Sequence, residues 1–404
     1  MKVLPKMFEI EISGSKSESN RALILQSYLP NISIGNSSNS EDTQWMQAAL
    51  TDLKKGKTIL QCGHAGTVIR FIVARAVFEP NFNGLITGSS RLLSRPIQAL
   101  LDALKPYAKN IEHTDEGIRI ESKSEHPNEA TFTIDATNSS QFVSALCLCT
   151  PRFEKGISIN ITGTLSSVPY IEMTLDFLKQ QGYNYTFSNR EIKIVPSEKT
   201  NINTINIEPD WSSLSYWFSL AVITQSNLFL NHYRQESLQA DAKILEFAKS
   251  FGVDYKFCED GLTLMPNSAE KTSFFDADFD ACPDIAPTFM ALCAAINMPC
   301  KLTGLHSLKH KECDRIVVMH ENLHKLGYST KIGASTFEFE GEISGIDYTN
   351  SVEIHTDLDH RIAMSIAPLQ FLFSNITFDD KDVVRKSYTN FWSDFNAFQK
   401  HQNS

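Results

Sequence analysis

Six runs of apolar residues, each with no consistently polar side, recur along the 404-residue chain, and they limit the fold more than any other feature. They are SESNRALILQSYL from Ser17, AGTVIRFIVARAVF from Ala65, SSQFVSALCLCT from Ser139, SSLSYWFSLAVI from Ser212, DIAPTFMALCAAI from Asp284 and DHRIAMSIAPLQFL from Asp359. A helix that is apolar all round has to be enclosed, here between sheets. From Ser139 to Ser212 and from Ser212 to Asp284 the spacing is 73 and 72 residues. A period that long predicts a repeated subdomain and excludes a thin solenoid.

A second kind of segment alternates with the first: a short strand, a turn containing Gly or Asn, then an amphipathic helix. LITGSSRLLSRPIQALLDALK, NITGTLSSVPYIEMTLDFLKQQG and KLTGLHSLKHKECDRIVVMHENLHKLG share one template. ISIGNSSNSEDTQWMQAALTDLKKG and LFLNHYRQESLQADAKILEFAKSFG fit it more loosely, and ITFDDKDVVRKSYTNFWSDFNAFQ reads as a degenerate copy. Gly56, Gly182, Gly252 and Gly327 stand where a helix C′ residue belongs. Alternating runs such as GIRIESK, EIKIVPS and GLTLMPN read as strand pairs. The unit is about βαβαββ. Six units in a chain of this length make an α/β protein of two domains, three units each.

Composition excludes several alternatives. With 42% apolar and 21% charged residues the chain is neither disordered nor collagenous nor a coiled coil. Eight Cys are too sparse for a disulfide scaffold, form no CxxC pair, and fit a reduced, cytoplasmic protein. The longest uncharged stretch, from Trp211 to Tyr233, is broken by a turn at Thr224-Gln225-Ser226-Asn227, so no membrane span is expected. The first residues carry Glu9 and Glu11 and no long apolar core, which reads as no signal peptide. A net charge of −10 argues against non-specific nucleic-acid binding. The 26 Phe are spread among apolar segments and read as core.

A small anionic substrate remains open if the cations are gathered in one place. The buried runs open on Ser17 and Ser19, Gly66-Thr67, Ser139-Ser140, Ser212-Ser213, Asp284 and Asp359-His360. These residue types are ordinary helix N-caps, and helix N-termini also favour anions. Cations recur at the same end of the unit: Lys16 and Arg21, Arg70, Arg91 and Arg95, Lys309, Lys311 and Arg315, Arg361, Arg385 and Lys386. Arginine gives bidentate contacts to phosphate and carboxylate, so this recurrence points to a polyanionic ligand.

Motifs spread from GSKSESNRA at Gly14 to VRKSYTNF at Val384 resemble those of the EPSP synthases, the 3-phosphoshikimate 1-carboxyvinyltransferase branch of the enolpyruvyl transferases. They include CGHAGTVIRF, SRPIQALLDAL, SSQFVSALCL, SVPYIEMTL, PDWSSLSY, CPDIAPTFMALCAA, KHKECDRI and DHRIAMS, in the family's order. The resemblance implies two inside-out α/β domains, each of three βαβαββ units, with a cleft between them. One would hold 1–14 plus 209–404 and the other 15–208. It implies transfer of the enolpyruvyl group of phosphoenolpyruvate to the 5-hydroxyl of shikimate 3-phosphate, with release of phosphate, in the shikimate pathway of aromatic amino acid biosynthesis. It further implies no metal and no organic cofactor, glyphosate as inhibitor, and a monomer.

Residue by residue, the resemblance assigns shikimate 3-phosphate to Ser17, Arg21, Ser139, Ser140, Gln141, Ser167, Tyr170, Asp284 and Lys311. It assigns phosphoenolpyruvate to Lys16, Gly66, Arg95, Gln141, Arg315, Arg361 and Lys386, and Arg70 also fits the pattern. The reaction protonates the methylene carbon of phosphoenolpyruvate and deprotonates the attacking hydroxyl, so it needs two opposed acid/base groups. Asp284 is the expected base and Glu312 the expected acid. Lys16, Lys386 and His360 share or exchange these duties, and their division stays open.

Three departures stand out. Gly63-His64-Ala65-Gly66-Thr67 replaces a GNAGT pattern, Lys386-Ser387-Tyr388-Thr389 replaces KSYP, and Pro209-Asp210-Trp211-Ser212-Ser213 replaces GDxSS. The rival readings are a phosphosugar-acid binder without turnover, and a UDP-N-acetylglucosamine enolpyruvyl transferase. The first would be expected to lose one of Lys16, Asp284, Glu312, His360 and Lys386. The second would need a UDP-sugar site in place of Ser17, Arg21 and Ser139. His306 with His310, and His320 with His324, have helical metal-ligand spacing, but solvated histidines explain them more simply.

Overall fold

Alternating burial along the strands determines the layering. In the strand Glu129–Asp135, Ala130, Phe132 and Ile134 are buried and the residues between them are exposed. Such a sheet shows one face to water and needs an apolar layer on the other. The apolar helices provide that layer, so helices lie inside and sheets outside. The computed structural model describes residues 7–188, 190–197, 204–267, 271–341 and 346–403. These form two compact units, one of residues 14–207 and one of 1–13 with 208–404.

In the 14–207 unit the enclosed helices are Lys16–Tyr28, Gly66–Val77 and Ser140–Cys147. The second of these touches both others. Two four-stranded sheets cover them. One runs in the order Ile59–Gln61, Asn83–Thr87, Gly117–Ser122, Ala108–Thr114. The other runs Glu129–Asp135, Gly156–Thr162, Glu191–Pro196, Tyr183–Ser188. In each, the first pair is parallel and the rest antiparallel. The third sheet is only a parallel pair, Ser33–Gly35 with Thr204–Asn206.

The other unit repeats this plan around Trp211–Thr224, Ala286–Ala295 and His360–Ile366. Its four-stranded sheets are Phe8–Ile10, Leu228–Asn231, Gly261–Pro266, Val253–Cys258, and Phe275–Asp278, Cys300–Thr303, Phe337–Phe339, Thr330–Ile332. Its third sheet is again a parallel pair, Ser351–Ile354 with Asn375–Phe378.

The expectation of three βαβαββ units in each domain is therefore corrected in one unit of each: four sheets carry the closing hairpin and, among the described residues, two do not. The two-stranded cases follow the segments read as loose or degenerate. After the helix Glu41–Lys54 the next strand starts at Ile59, too soon for a hairpin. A second correction concerns residues 240–251, read as one amphipathic helix. They form the 3-10 turn Ala240–Lys243, one turn of α-helix at Ile244–Phe247 and the 3-10 turn Ala248–Phe251. The segment is tied at its start, where Gln239 Oε1 accepts from Trp211 N at 3.0 Å and Asp241 accepts from the Ser212 hydroxyl. The four helix-ending glycines do adopt positive φ: 71° at Gly56, 87° at Gly182, 64° at Gly252 and 91° at Gly327. No helix among the described residues is long and apolar enough to cross a membrane.

Candidate active site

Asp284 lies in the 3-10 turn Pro283–Ile285 that leads into Ala286–Ala295, a helix with no side-chain cap. Its carboxylate is spent on cations instead. Oδ1 lies 3.2 Å from Lys311 Nζ and 3.0 Å from Arg315 Nη1, and Oδ2 lies 2.9 Å from Arg361 Nη2. Arg315 opens the helix Arg315–Lys325, whose cap is Asp314. Capping stops the helix short of Lys311 and Glu312, which therefore stand on the loop before it.

Arg315 is 1% exposed and touches three carboxylates. Besides Asp284, its Nη2 donates to Glu312 Oε2 at 2.8 Å and its Nε to Asp359 Oδ2 at 2.8 Å. Burial works against its charge, but Asp359, Glu312 and Asp284 outweigh burial and hold the guanidinium above its usual range. Asp359 also caps His360–Ile366 through Oδ1, which accepts from Arg361 N at 2.9 Å. One fully buried carboxylate thus fixes both Arg315 and the start of the helix that carries Arg361. Glu312 Oε1 takes Lys386 Nζ at 2.7 Å, at the end of the 3-10 turn Asp382–Lys386. His360 is buried, with Nδ1 3.6 Å from Asp359 Oδ1. Burial pulls the Lys311 ammonium down from its usual range, with Asp284 opposing.

In the 14–207 unit the cations are held differently. Arg21, 2% exposed, gives Nε to Thr174 Oγ1 at 2.7 Å and Nη1 to the Ser17 carbonyl at 2.8 Å. Its Nη2 goes to the Tyr170 carbonyl at 3.0 Å and to Ser144 Oγ at 3.4 Å. All four acceptors are neutral. Burial lowers its pKa to about 10, Tyr170 and Glu18 opposing through space. Arg70 Nη1 donates to Gln141 Oε1 at 2.6 Å, and Gln141 Nε2 donates to Thr67 Oγ1 at 3.1 Å, so the helix Gly66–Val77 fixes both ends of the Gln141 amide. Lys16 Nζ pairs with Asp42 Oδ2 at 3.2 Å. Gly66 leaves room for Arg95: a Cβ there would lie 2.4 Å from its Nη1. Ser139 caps its helix by accepting from Gln141 N, and Ser140 is buried beside it. Ser167, at φ 54°, precedes Val168–Gln180 without capping it.

The structure therefore joins Asp284, Lys311, Glu312, Arg315, Arg361 and Lys386 in one ion network, with His360 beside it. Ser17, Arg21 and Tyr170 meet in a second group, Arg70 and Gln141 in a third, and Gly66 with Arg95 in a fourth. Several expected caps are corrected. Ser15 caps the first helix in place of Ser17 or Ser19, and Asp210 caps the fourth in place of Ser212 or Ser213. The second helix has no side-chain cap. Asp42, Asp241 and Asp359 were not singled out as site residues, although Asp359-His360 at a helix start and Asp42 beside the cap Ser40 were visible signals. His306 and His310 share a 3-10 turn, and the rings of His320 and His324 lie 6.4 Å apart. Among the described residues no group of three or more His, Cys, Asp or Glu could hold a metal ion.

A sequence model of the EPSP synthase family, 3-phosphoshikimate 1-carboxyvinyltransferase, matches residues 7–395. A 3-phosphoshikimate 1-carboxyvinyltransferase of Bacteroides fragilis (strain YCH46) is 34% identical over 392 residues, covering 95% of this chain and 93% of the relative. The solved EPSP synthase of Acinetobacter baumannii superimposes with a TM-score of 0.72 at 20% identity, covering 98% of this chain and 97% of that one. The enolpyruvyl transferase NikO of Streptomyces tendae reaches the same TM-score at 13% identity, covering 98% and 96%. At those identities the two solved structures speak for the fold alone.

Proposed function

The chain belongs to the EPSP synthase family, and from that premise we propose how its residues perform the reaction. The enzyme transfers the enolpyruvyl group of phosphoenolpyruvate to the 5-hydroxyl of shikimate 3-phosphate and releases phosphate. Asp284 takes the proton of the attacking hydroxyl, and Glu312 delivers a proton to the methylene carbon. Attack on C2 then gives a tetrahedral intermediate. Glu312 then takes a proton back from the new methyl group, which restores the double bond as the C2–O bond to phosphate breaks, and Asp284 gives its proton to the departing phosphate. The supporting observation is that one buried guanidinium, Arg315, binds both carboxylates. Two acid/base groups are thus set at a fixed separation before any substrate arrives.

The ion pairs also tune the base. A substrate oxygen that accepts from Lys311 or Arg361 shares the cations that Asp284 holds, which raises its affinity for a proton as the hydroxyl comes into reach. Lys386 on Glu312, Lys16 on Asp42 and His360 beside Asp359 are partners for the remaining proton movements. Arg21, Ser17, Ser139, Ser140, Gln141, Ser167 and Tyr170 take shikimate 3-phosphate with Asp284 and Lys311. Arg95, Gln141, Arg315 and Arg361, with Lys16, Lys386 and the Gly66 backbone, take phosphoenolpyruvate. Glyphosate competes at the latter group. A monomer in the cytoplasm is the state we assign; the free thiols of the described residues support the reducing compartment.

A coupled assay of phosphate release tests this reading. Release is expected only with both substrates together. Release with UDP-N-acetylglucosamine in place of shikimate 3-phosphate would transfer the chain to the sister activity.

A further inference from the structure

Asp241 lies in the 3-10 turn Ala240–Lys243, 3% exposed. Its Oδ2 accepts from the hydroxyl of Ser212, in the first turn of Trp211–Thr224. The same Ser212 Oγ accepts from Arg361 Nη2 at 3.3 Å. That nitrogen also donates to Asp284 Oδ2 at 2.9 Å, while Nη1 reaches Tyr216 Oη at 3.4 Å, one helical turn on from Ser212. A hydroxyl has one proton. Given to Asp241, it leaves the lone pairs of Ser212 for Arg361. The second oxygen of Asp241, Oδ1, is buried and has no hydrogen-bond partner among the described residues. A carboxylate kept in the interior with one oxygen unsatisfied costs stability. Packing alone does not explain it.

We propose that Asp241 is a positioning residue for the enolpyruvyl transfer: ionised, it fixes the Ser212 hydroxyl as an acceptor and so aims the Arg361 guanidinium at Asp284 and the phosphoenolpyruvate it binds. The proposal rests on the assignment of Arg361 to phosphoenolpyruvate made above. A protonated Asp241 is a weaker acceptor and, with its proton on Oδ2, becomes a donor that competes for Ser212. The groups facing it are Asp284 from the Pro283–Ile285 turn, Arg361 from His360–Ile366, Asp210 at the cap of Trp211–Thr224, and the Cys282 thiol. Burial first, then Asp284, push Asp241 up to about 7, with Arg361 opposing. The ionised form is therefore lost as pH falls through about 7.

The test compares kcat/KM for phosphoenolpyruvate in wild type, Asp241→Asn and Asp241→Ala, at saturating shikimate 3-phosphate, between about pH 5.5 and 8.5. Asn keeps an acceptor oxygen and cannot titrate. The wild-type to Asn ratio, in which substrate ionisation cancels, is expected to fall below about pH 7 and to level off roughly tenfold lower. Asp241→Ala should raise KM roughly tenfold at the alkaline end, with kcat changed less. A flat ratio between two active proteins, or an Ala variant with only a lower melting temperature, overturns the proposal. Carboxyl-13C aspartate labelling reads the link without turnover. The signal absent from Asp241→Asn should titrate near pH 7 and move higher in Ser212→Ala, which removes a bond that favours the anion. An unmoved signal overturns the Ser212 link. Failure of wild type to release phosphate from the two substrates would instead overturn the functional reading.

Discussion

Arg21 and Arg315 are buried to nearly the same degree, yet their units hold them in opposite ways. Arg21 spends its hydrogen bonds on a threonine, a serine and two carbonyl oxygens, and burial depresses it to about 10. Arg315 touches Asp284, Glu312 and Asp359, which hold it above its usual range. A buried cation without a bonded counter-charge carries an unmet electrostatic demand. A single negative charge brought within about 4 Å at an effective dielectric near 20 answers it with about 4 kcal/mol. A cation already matched to three carboxylates acts first as a clamp on them, and an incoming anion shares it with those carboxylates. Arg21 is thus placed to receive charge, and Arg315 to keep the charges around it in order.

If that division holds, removing one carboxylate from the clamp should stop chemistry without dismantling the fold. Asp284→Ala and Glu312→Ala should each lower kcat by roughly 10²–10⁴-fold, the worth of a positioned proton-transfer group, with far-ultraviolet dichroism unchanged. Near-wild-type turnover in either would remove that residue from the mechanism. The arginines themselves give the sharpest contrast. Arg315→Met leaves three carboxylates facing one another and should cost about 3–5 kcal/mol of unfolding free energy in denaturant titration. Arg21→Met strands only neutral acceptors and should stay within about 1 kcal/mol of wild type, while calorimetry shows shikimate 3-phosphate binding lost. Equal losses of stability would break the comparison.

A smaller effect is expected at Gly66. A methyl there would stand 2.4 Å from Arg95 Nη1, and the flexible end of Arg95 has to swing away. Gly66→Ala should raise KM for phosphoenolpyruvate roughly tenfold, about one charge-assisted hydrogen bond, and the glyphosate inhibition constant by more. Unchanged steady-state constants would show that Arg95 does not contact this ligand. The smallest effect separates the units by acid sensitivity. His126 packs edge-on against Phe78 in the 14–207 unit, and burial, then Arg152 and Lys123, hold it down to about 4. Its unfolded form takes up a proton near 6.5. Stability should therefore fall as pH drops from about 6.5 to about 4 and level off below. Melting curves of His126→Phe should be flatter over that window. Parallel curves would exclude His126.

The layering was legible because two periodicities coexist: strands alternate in burial, and the enclosed helices have no polar side. The missing hairpin of the 14–207 unit was legible only by length, in the few residues between Lys54 and Ile59. The broken segment at 240–251 was not legible, since its sequence favours one helix while its start is tied from elsewhere in the chain, Gln239 to Trp211 and Pro209 and Asp241 to Ser212. The six members of the ion network were readable as motif residues. Asp42, Asp241 and Asp359 were harder. A carboxylate that orients a cation is recruited from another turn or helix, and spacing along the chain carries no trace of that pairing. Caps were misread by a residue or two because the capping side chain precedes the first helical residue, as Ser15 and Asp210 do.

One strand pairing has a consequence for how the chain is made. Phe8–Ile10 finds its partner only at Leu228–Leu230, about 220 residues later. At about 5–20 residues per second the nascent strand waits ~10–40 s, longer than domain folding generally takes. In that interval the 14–207 unit emerges whole and closes its last sheet when Thr204–Asn206 reaches Ser33–Gly35. Synthesis thus finishes the unit that carries Arg21 before the first strand of the unit that carries Arg315 has its partner, and Phe8–Ile10 spends that time with its backbone hydrogen-bonding groups unpaired by any sheet.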